Sequence, residues 1–430
     1  MHPLALKTNE QLPERVMAML SQRGRSAYFP SAGILGQSAE AKGAAINATI
    51  GIALDDSGDP MHLPGLKDVI GVEAKDAFPY APSYGKPALR DQWLLMMKGK
   101  NPSLSEIQTS RPVVTNALTH GLSVAASLFA DPGDTLITPD RFWGNYRLIF
   151  EHGFGAQIDT YPTFSGSGYN VSGLREKLLD GAPGKRLVSL NFPNNPTGYT
   201  CTPGEGEAIR DVLIEAAEAG NDVVVLIDDA YFGLVYEPGI MTESIFSLLA
   251  DAHPGILAVK IDGATKEDFA WGYRVGFLTF GYGGSTGPAL AALEDKTAGT
   301  VRGSISNAAH VSQSMLLTAY QSPDYDKWKS EAFAVMAARY TAVRKTLNEN
   351  PDFADRFEPM PFNSGYFLCV RPVAAGVEPE AVRRVLLERF DTGVIATGDS
   401  IRIAFSSAPA DSIPTLFANI AAAVDLVAAR

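Results

Sequence analysis

The chain has 430 residues, 46% of them apolar and 20% charged, which suits a globular protein of two or three domains with a large core. A formal charge of −12, with the densest basic cluster (Arg15, Arg23, Arg25) confined to a short N-terminal helix edge, excludes a nucleic-acid partner. Two cysteines without a CxxC, no apolar signal core and no run near ~20 uninterrupted apolar residues exclude a disulfide scaffold, a cysteine metal site and a membrane span, leaving the expectation of a soluble, cytoplasmic protein.

From about residue 110, short runs rich in β-branched residues alternate with helical patterns. Strands are predicted at 112–115, 135–138, 157–161, 187–191, 223–227, 256–261 and 275–280, and helices at 121–130, 204–219 and 242–249. This spacing calls for βαβ units, and so for an α/β fold with a mostly parallel sheet covered by helices. The glycine-rich 281–287 reads as a surface turn. A long helix over 325–349 follows, then strands at 365–370 and 401–405 and helices near 378–389 and 411–429. The expected division is a large domain over 75–320 and a smaller α+β domain from 1–74 plus 321–430. In such sheets ligands gather beyond the carboxyl ends of the strands.

Several residues at those ends could carry chemistry. Thr119 opens the helix THGLSVAASLF, where free backbone N–H groups and the dipole favour a phosphate, although a threonine there also reads as a simple cap. Trp143 in PDRFWGNY follows a strand and, taken alone, suits a core or an interface. Asn195 lies in the turn NFPNNPTG, stiffened by two prolines and a glycine. Asp228 closes the run VVVLIDD, where a carboxylate can sit beneath a bound heterocycle or cap a turn, and Tyr231 follows three residues later. Lys266 in ILAVKIDGATK reads alone as a solvated lysine, but Arg274 stands eight residues on. A lysine that can form a Schiff base and a guanidinium that can hold a phosphate would then border one crevice.

The motifs occur together and in order, and with them the chain resembles the class I/II aminotransferases, pyridoxal 5'-phosphate enzymes of fold type I, over nearly all its length. YAPSYGKPALR looks like the family's YxxxxGxxxLR segment, which implies that Tyr80 reaches the phosphate of a neighbouring subunit in a homodimer. The resemblance further implies Trp143 stacked on the cofactor, Asn195 and Tyr231 on its phenolic oxygen, and Asp228 on its pyridine nitrogen. Lys266 would be the covalent link, and Arg274 would hold the phosphate with backbone donors at Leu118 and Thr119. SIRIAFS implies that Arg402 clamps the substrate α-carboxylate. INATIGIALDDSGDP and VRGSISN are similar to the aspartate aminotransferase branch, which implies Gly51 near that carboxylate and Arg302 reading a side-chain carboxylate in the partner's site. For Arg302 a salt bridge at the surface or interface competes with this role.

The implied activity moves an amino group from an L-amino acid of aspartate or glutamate type to a 2-oxo acid such as 2-oxoglutarate, with no metal. An aromatic amino-acid aminotransferase, or a sibling elimination or decarboxylation, shares nearly every cofactor residue. Two departures stand out: Gly263 replaces a common serine three residues before the lysine, and the turn Asn116–Thr119 is not Ser/Gly-rich. Both suggest that the phosphate contacts are differently supplied.

Overall fold

A computed structural model describes residues 1–31, 33–68 and 70–429. In chain order the first large unit contains α1 (Pro87–Lys100), β1 (Val113–Thr115), α2 (Ala117–Phe129), β2 (Thr135–Pro139), β3 (Gln157–Tyr161), α3 (Val171–Leu179) and β4 (Lys185–Leu190). It continues through α4 (Pro203–Glu218), β5 (Asp222–Asp228), β6 (Ile256–Gly263), α5 (Ala264–Glu267), β7 (Gly276–Gly281) and α6 (Gly287–Ile305). The seven strands form one sheet in the order β1-β7-β6-β5-β4-β2-β3. Neighbours from β6 to β3 are parallel, whereas β7 runs against both β1 and β6.

Strand β5 explains why the sheet needs cover on both faces. Val223, Val225 and Ile227 pack with Ile209, Val212 and Leu213 of α4, while Val224 and Leu226 pack with Leu122, Ala125 and Ala126 of α2. Side chains alternate across a strand, so a run apolar at every position must be buried twice. Helix α4 starts where Thr202 and Glu205 cap each other reciprocally ahead of Pro203, satisfying the free N–H groups of its first turn.

Beyond α6 come α7 (His310–Tyr320), the 25-residue α8 (Tyr325–Glu349), β8 (Phe357–Pro359), β9 (Phe367–Pro372), α9 (Pro379–Phe390), β10 (Ile395–Thr397), β11 (Ser400–Ala404) and α10 (Ile413–Ala428). The strands form an antiparallel sheet in the order β8-β9-β11-β10. The N-terminal residues join this half: Ile46–Asn47 pairs in parallel with Thr392–Gly393, and the Ala404 N–H donates to the Ala48 carbonyl.

Three expectations change. The helix expected at 242–249 is only Phe246–Leu249, because Ser244 is held elsewhere: its N–H donates to Asn101 and its hydroxyl to Asp229. Helix α2 begins at Ala117, two residues before Thr119. Only the far end of 281–287 is a surface turn, since the Cα atoms of Gly281 and Gly283 lie against the backbones of Ala250 and His253 with no room for a Cβ. The segment Ala410–Ala428 is apolar and long enough to cross a membrane by length and composition. Here Leu416, Phe417, Ile420 and Val424 of α10 pack against Leu386 and Phe357 in the core of the second unit.

Candidate active site

The carboxyl ends of the parallel strands, with the entry to antiparallel β7, surround a cavity of about 350 Å³. Asp228 ends β5 at its floor, and Lys266 comes from α5, the single turn after β6. Tyr146 donates to one Asp228 oxygen at 2.6 Å, and the Ala230 N–H reaches the other at 3.2 Å, so the carboxylate also caps its own turn. Asn191 fastens the backbone on both sides: its amide donates to the Asp228 carbonyl at 2.7 Å and accepts the Asn195 N–H at 2.7 Å.

Electrostatics divides the two ionisable groups. Burial, opposed by Asp228 and aided by Arg274, brings the Lys266 amine down to a pKa of about 8. Among the described residues Lys266 has no ion pair, and its ammonium lies 5.2 Å from the Tyr231 ring centroid. Burial raises Asp228 above the usual carboxylate range, with Tyr146, Lys266 and the Ala230 N–H opposing. Burial and Asp228 together keep the Tyr146 phenol protonated, so it remains a donor.

Arg402, on β11, forms one wall. Its guanidinium lies 4.5 Å from the Phe367 ring centroid, donates to the Thr49 carbonyl at 3.0 Å and reaches Asn195 at 3.4 Å. Its Nε is buried and has no partner among the described residues. Gly51 also borders the cavity, where an added Cβ would meet nothing within 4 Å.

At the opposite end lie Ala117, Leu118 and Thr119 of the first turn of α2, whose N–H groups have no intrahelical acceptor. Ala117 holds a left-handed φ of 61°, a strained conformation for a residue with a Cβ. Arg274 borders the same end with φ 55°, its side chain bonded, among the described residues, only to the Trp271 carbonyl at 3.1 Å. Gly263 has a packing reason, since an added Cβ would lie 2.6 Å from the Val275 carbonyl oxygen and 2.7 Å from the Gly276 Cα. A serine there would displace β7.

Ten of the twelve residues singled out from the sequence therefore meet in one cavity: Gly51, Leu118, Thr119, Trp143, Asn195, Asp228, Tyr231, Lys266, Arg274 and Arg402. Tyr80 is 87% exposed and lies outside it, as does Arg302, whose guanidinium bonds, among the described residues, only to Ser306 at 3.5 Å. Sequence reasoning missed Tyr146, Asn191, Thr265 and Trp271. All four stood inside or beside the quoted motifs, but only tertiary contacts reveal their partners. The Thr265 hydroxyl and the Trp271 indole N–H are buried in the cavity lining without partners, which marks donors awaiting a ligand. The donor set fits a planar heterocycle bearing a phosphate and an aldehyde. An amine stands near a carboxylate at one end, and unpaired donors, a guanidinium and a helix N-terminus stand at the other.

A second chamber of about 270 Å³ adjoins through Ile34, Trp143, Asn195 and Arg402. Leu35, Phe142, Leu148 and Ile395 line it, and among the described residues Arg402 is its only charged one. Gln37 closes it by bonding both the carbonyl and the N–H of Ala396.

Residues 50–420 match the family model for aminotransferase class I and II. An aspartate aminotransferase of Musicola paradisiaca is 27% identical over 46% of this chain and 47% of its own length, and the chain spans about half the length of the first curated relatives it matches. An arginine–pyruvate transaminase of Pseudomonas aeruginosa is 23% identical over 74% of this chain and 73% of its own. The crystal structure of an aminotransferase from Anaerococcus prevotii superposes with a TM-score of 0.82 at 23% identity, covering 94% of this chain and 98% of that one, which shows a shared fold.

Proposed function

From the chain's membership of the class I and II aminotransferases, shown by a family match over most of its length, we propose that it binds pyridoxal phosphate on Lys266 and moves an amino group between an L-amino acid and a 2-oxo acid. The observation that carries this reading is the meeting of Lys266, Asp228 and Arg402 in one cavity. Pyridoxal phosphate supplies an aldehyde that holds amines and a ring that takes up electrons.

The residues divide the remaining work. Arg274, Thr265 and the first turn of α2 would hold the phosphate, and Trp143 and Tyr231 would keep the ring in its plane. Asp228, oriented by Tyr146, would hold the proton on the ring nitrogen. Arg402 would grip the substrate α-carboxylate with a two-pronged hydrogen bond, beside Gly51 and Asn195. Once the substrate amine has displaced it, the Lys266 Nζ would take the proton from the α-carbon; an amine with a pKa of about 8 suits that exchange. Borohydride reduction followed by peptide mapping should place the cofactor on Lys266. A 2-oxo acid with stoichiometric amino transfer should appear, whereas an elimination or decarboxylation product would set this reaction aside.

The finer reading has aspartate or glutamate as donor and 2-oxoglutarate as acceptor. It depends on a homodimer in which Arg302, with Tyr80, completes the partner's site. The apolar second chamber supports an alternative donor with an aromatic or aliphatic side chain, since no cation other than Arg402 lines it. Comparing kcat/KM for aspartate, glutamate, phenylalanine and alanine before and after Arg302→Leu separates the two. Loss confined to the acidic substrates supports the dicarboxylate reading. The proposal also takes 75–320 as the cofactor domain and 1–74 plus 321–430 as the smaller one, supported by the separation of the two larger sheets. A cytoplasmic location is supported by the two free cysteines, Cys201 and Cys369.

A further inference from the structure

The two residues after Lys266 point away from the cavity into a buried charged cluster that the proposed chemistry does not use. Glu267, 3% exposed at its side chain, accepts from Lys100 at 2.6 Å and from Lys329 at 2.5 Å. Asp268, 1% exposed, accepts from Tyr320 at 2.7 Å, Tyr325 at 2.6 Å and Lys329 at 3.2 Å. The donors stand at the ends of three helices: Lys100 closes α1, Tyr320 closes α7, and Tyr325 and Lys329 lie in the first turns of α8. Tyr366, just before β9, donates to the Lys266 carbonyl at 3.1 Å.

Burying two carboxylates and two phenols, with both lysines left about a quarter exposed, is costly unless every member is paired, and here each carboxylate has at least two donors. Burial would raise Glu267, but Lys100 and Lys329 outweigh it and hold it down to about 2, so it stays ionised. Removing Lys329 would strip both carboxylates of a shared cation.

We propose that Glu267, Asp268 and Lys329 form a clasp that positions Lys266, fixing the α5 turn from behind so that the amine stands where the cavity needs it. Lys329 is the member shared by both carboxylates, and it brings the hold from α8. The inference rests on the reading of Lys266 given above but goes beyond it, because it assigns a role to residues that touch neither cofactor nor substrate.

The test reads the Lys266 amine directly. The chain stripped of cofactor is labelled competitively with acetic anhydride across pH 6–11, and Lys266 acetylation is followed by peptide mapping. Its half-labelling point reports an amine that burial and Arg274 push down and Asp228 pushes up. Lys329→Met should raise that point toward an ordinary lysine, because the turn loosens, water enters and uncompensated negative charge is left nearby. In the loaded enzyme kcat should fall roughly ten- to a hundredfold, the scale expected when a reacting group is misplaced by about an ångström. KM should change little, since Arg402 is untouched. Lys329→Arg should restore both readouts. Tyr325→Phe, which removes the hydrogen bond to Asp268 and the one accepted from Lys329 but no charge, should raise the half-labelling point by less and covers the case in which Lys329→Met does not fold. A lower melting temperature with an unmoved half-labelling point and unchanged kcat would overturn the proposal and leave the cluster purely structural. Labelling needs no cofactor, so a chain that bound no pyridoxal phosphate would defeat the proposed function without deciding this measurement.

Discussion

Lys266 and Asp228 stand at the ends of neighbouring strands, and burial moves both toward their neutral forms, the lysine down and the aspartate up. The lysine attacks an aldehyde only when neutral, so its pKa of about 8 sets the pH at which the stripped chain can be loaded. Below that point the neutral fraction falls about tenfold per pH unit, and above it the loading rate should level off. Stopped-flow absorbance after mixing with pyridoxal phosphate at pH 6–9 measures this profile. Asp228 raises the lysine's pKa, so Asp228→Asn should move the break to lower pH; movement upward would contradict the assigned electrostatics. At this scale much of the candidate site was legible in the sequence. Each cavity residue follows or precedes an apolar run, and strand ends lie where α/β sheets place ligands. What escaped was pairing across the sheet. Nothing local to FWGNY says that Tyr146, rather than Trp143, reaches Asp228.

Among the elements, the contact between β6, β7 and the start of α2 governs the end of the cavity proposed to hold the phosphate. Gly263 faces the backbone of β7, and Gly276 in turn lies so close to Ala117 that an added Cβ would approach its carbonyl carbon to 2.8 Å. These neighbours are backbone atoms, which cannot rotate aside. Gly263→Ser should therefore destabilise the protein by about 1–3 kcal/mol, as overpacked cores do, and should slow cofactor binding by displacing the strand that Arg274 precedes. Urea unfolding and loading kinetics measure the two effects; a stable variant with faster loading would show that the close packing is not limiting. The glycine reads in the sequence as a missing phosphate ligand, because steric closeness between strands leaves no local signal. The helix expected at 242–249 fails for a related reason. Its apolar spacing is helical, but Ser244 bonds to Asn101 and Asp229, and tertiary bonds override local propensity.

Across the whole molecule, α8 joins the two sheets. Lys329 near its start binds the turn after Lys266, and Arg339 further along donates to the Ser406 carbonyl and to Asp56 at 3.0 Å. The broad order of strands, the long helix and the joining of 1–74 to 321–430 were expected from the sequence, whereas the particular pairing of Ile46–Asn47 with Thr392–Gly393 was not, since no local pattern encodes a register between segments so far apart in the chain. Tyr80 and Arg302 remain on the surface of a single chain, so the proposed homodimer makes a quantitative demand. Specific activity should fall on dilution together with the scattering mass, as the latter approaches the 45.9 kDa of one chain. Full activity at that mass would place both residues outside the site. The same long-range pairing orders events during synthesis. Asn116 to Arg274 leave the ribosome before Arg402, by on the order of ten seconds at about 5–20 residues per second. A nascent chain thus acquires the means to capture its cofactor before it can recognise a substrate, and Thr49 and Gly51, translated ahead of the other cavity residues, wait longest for the arginine they surround.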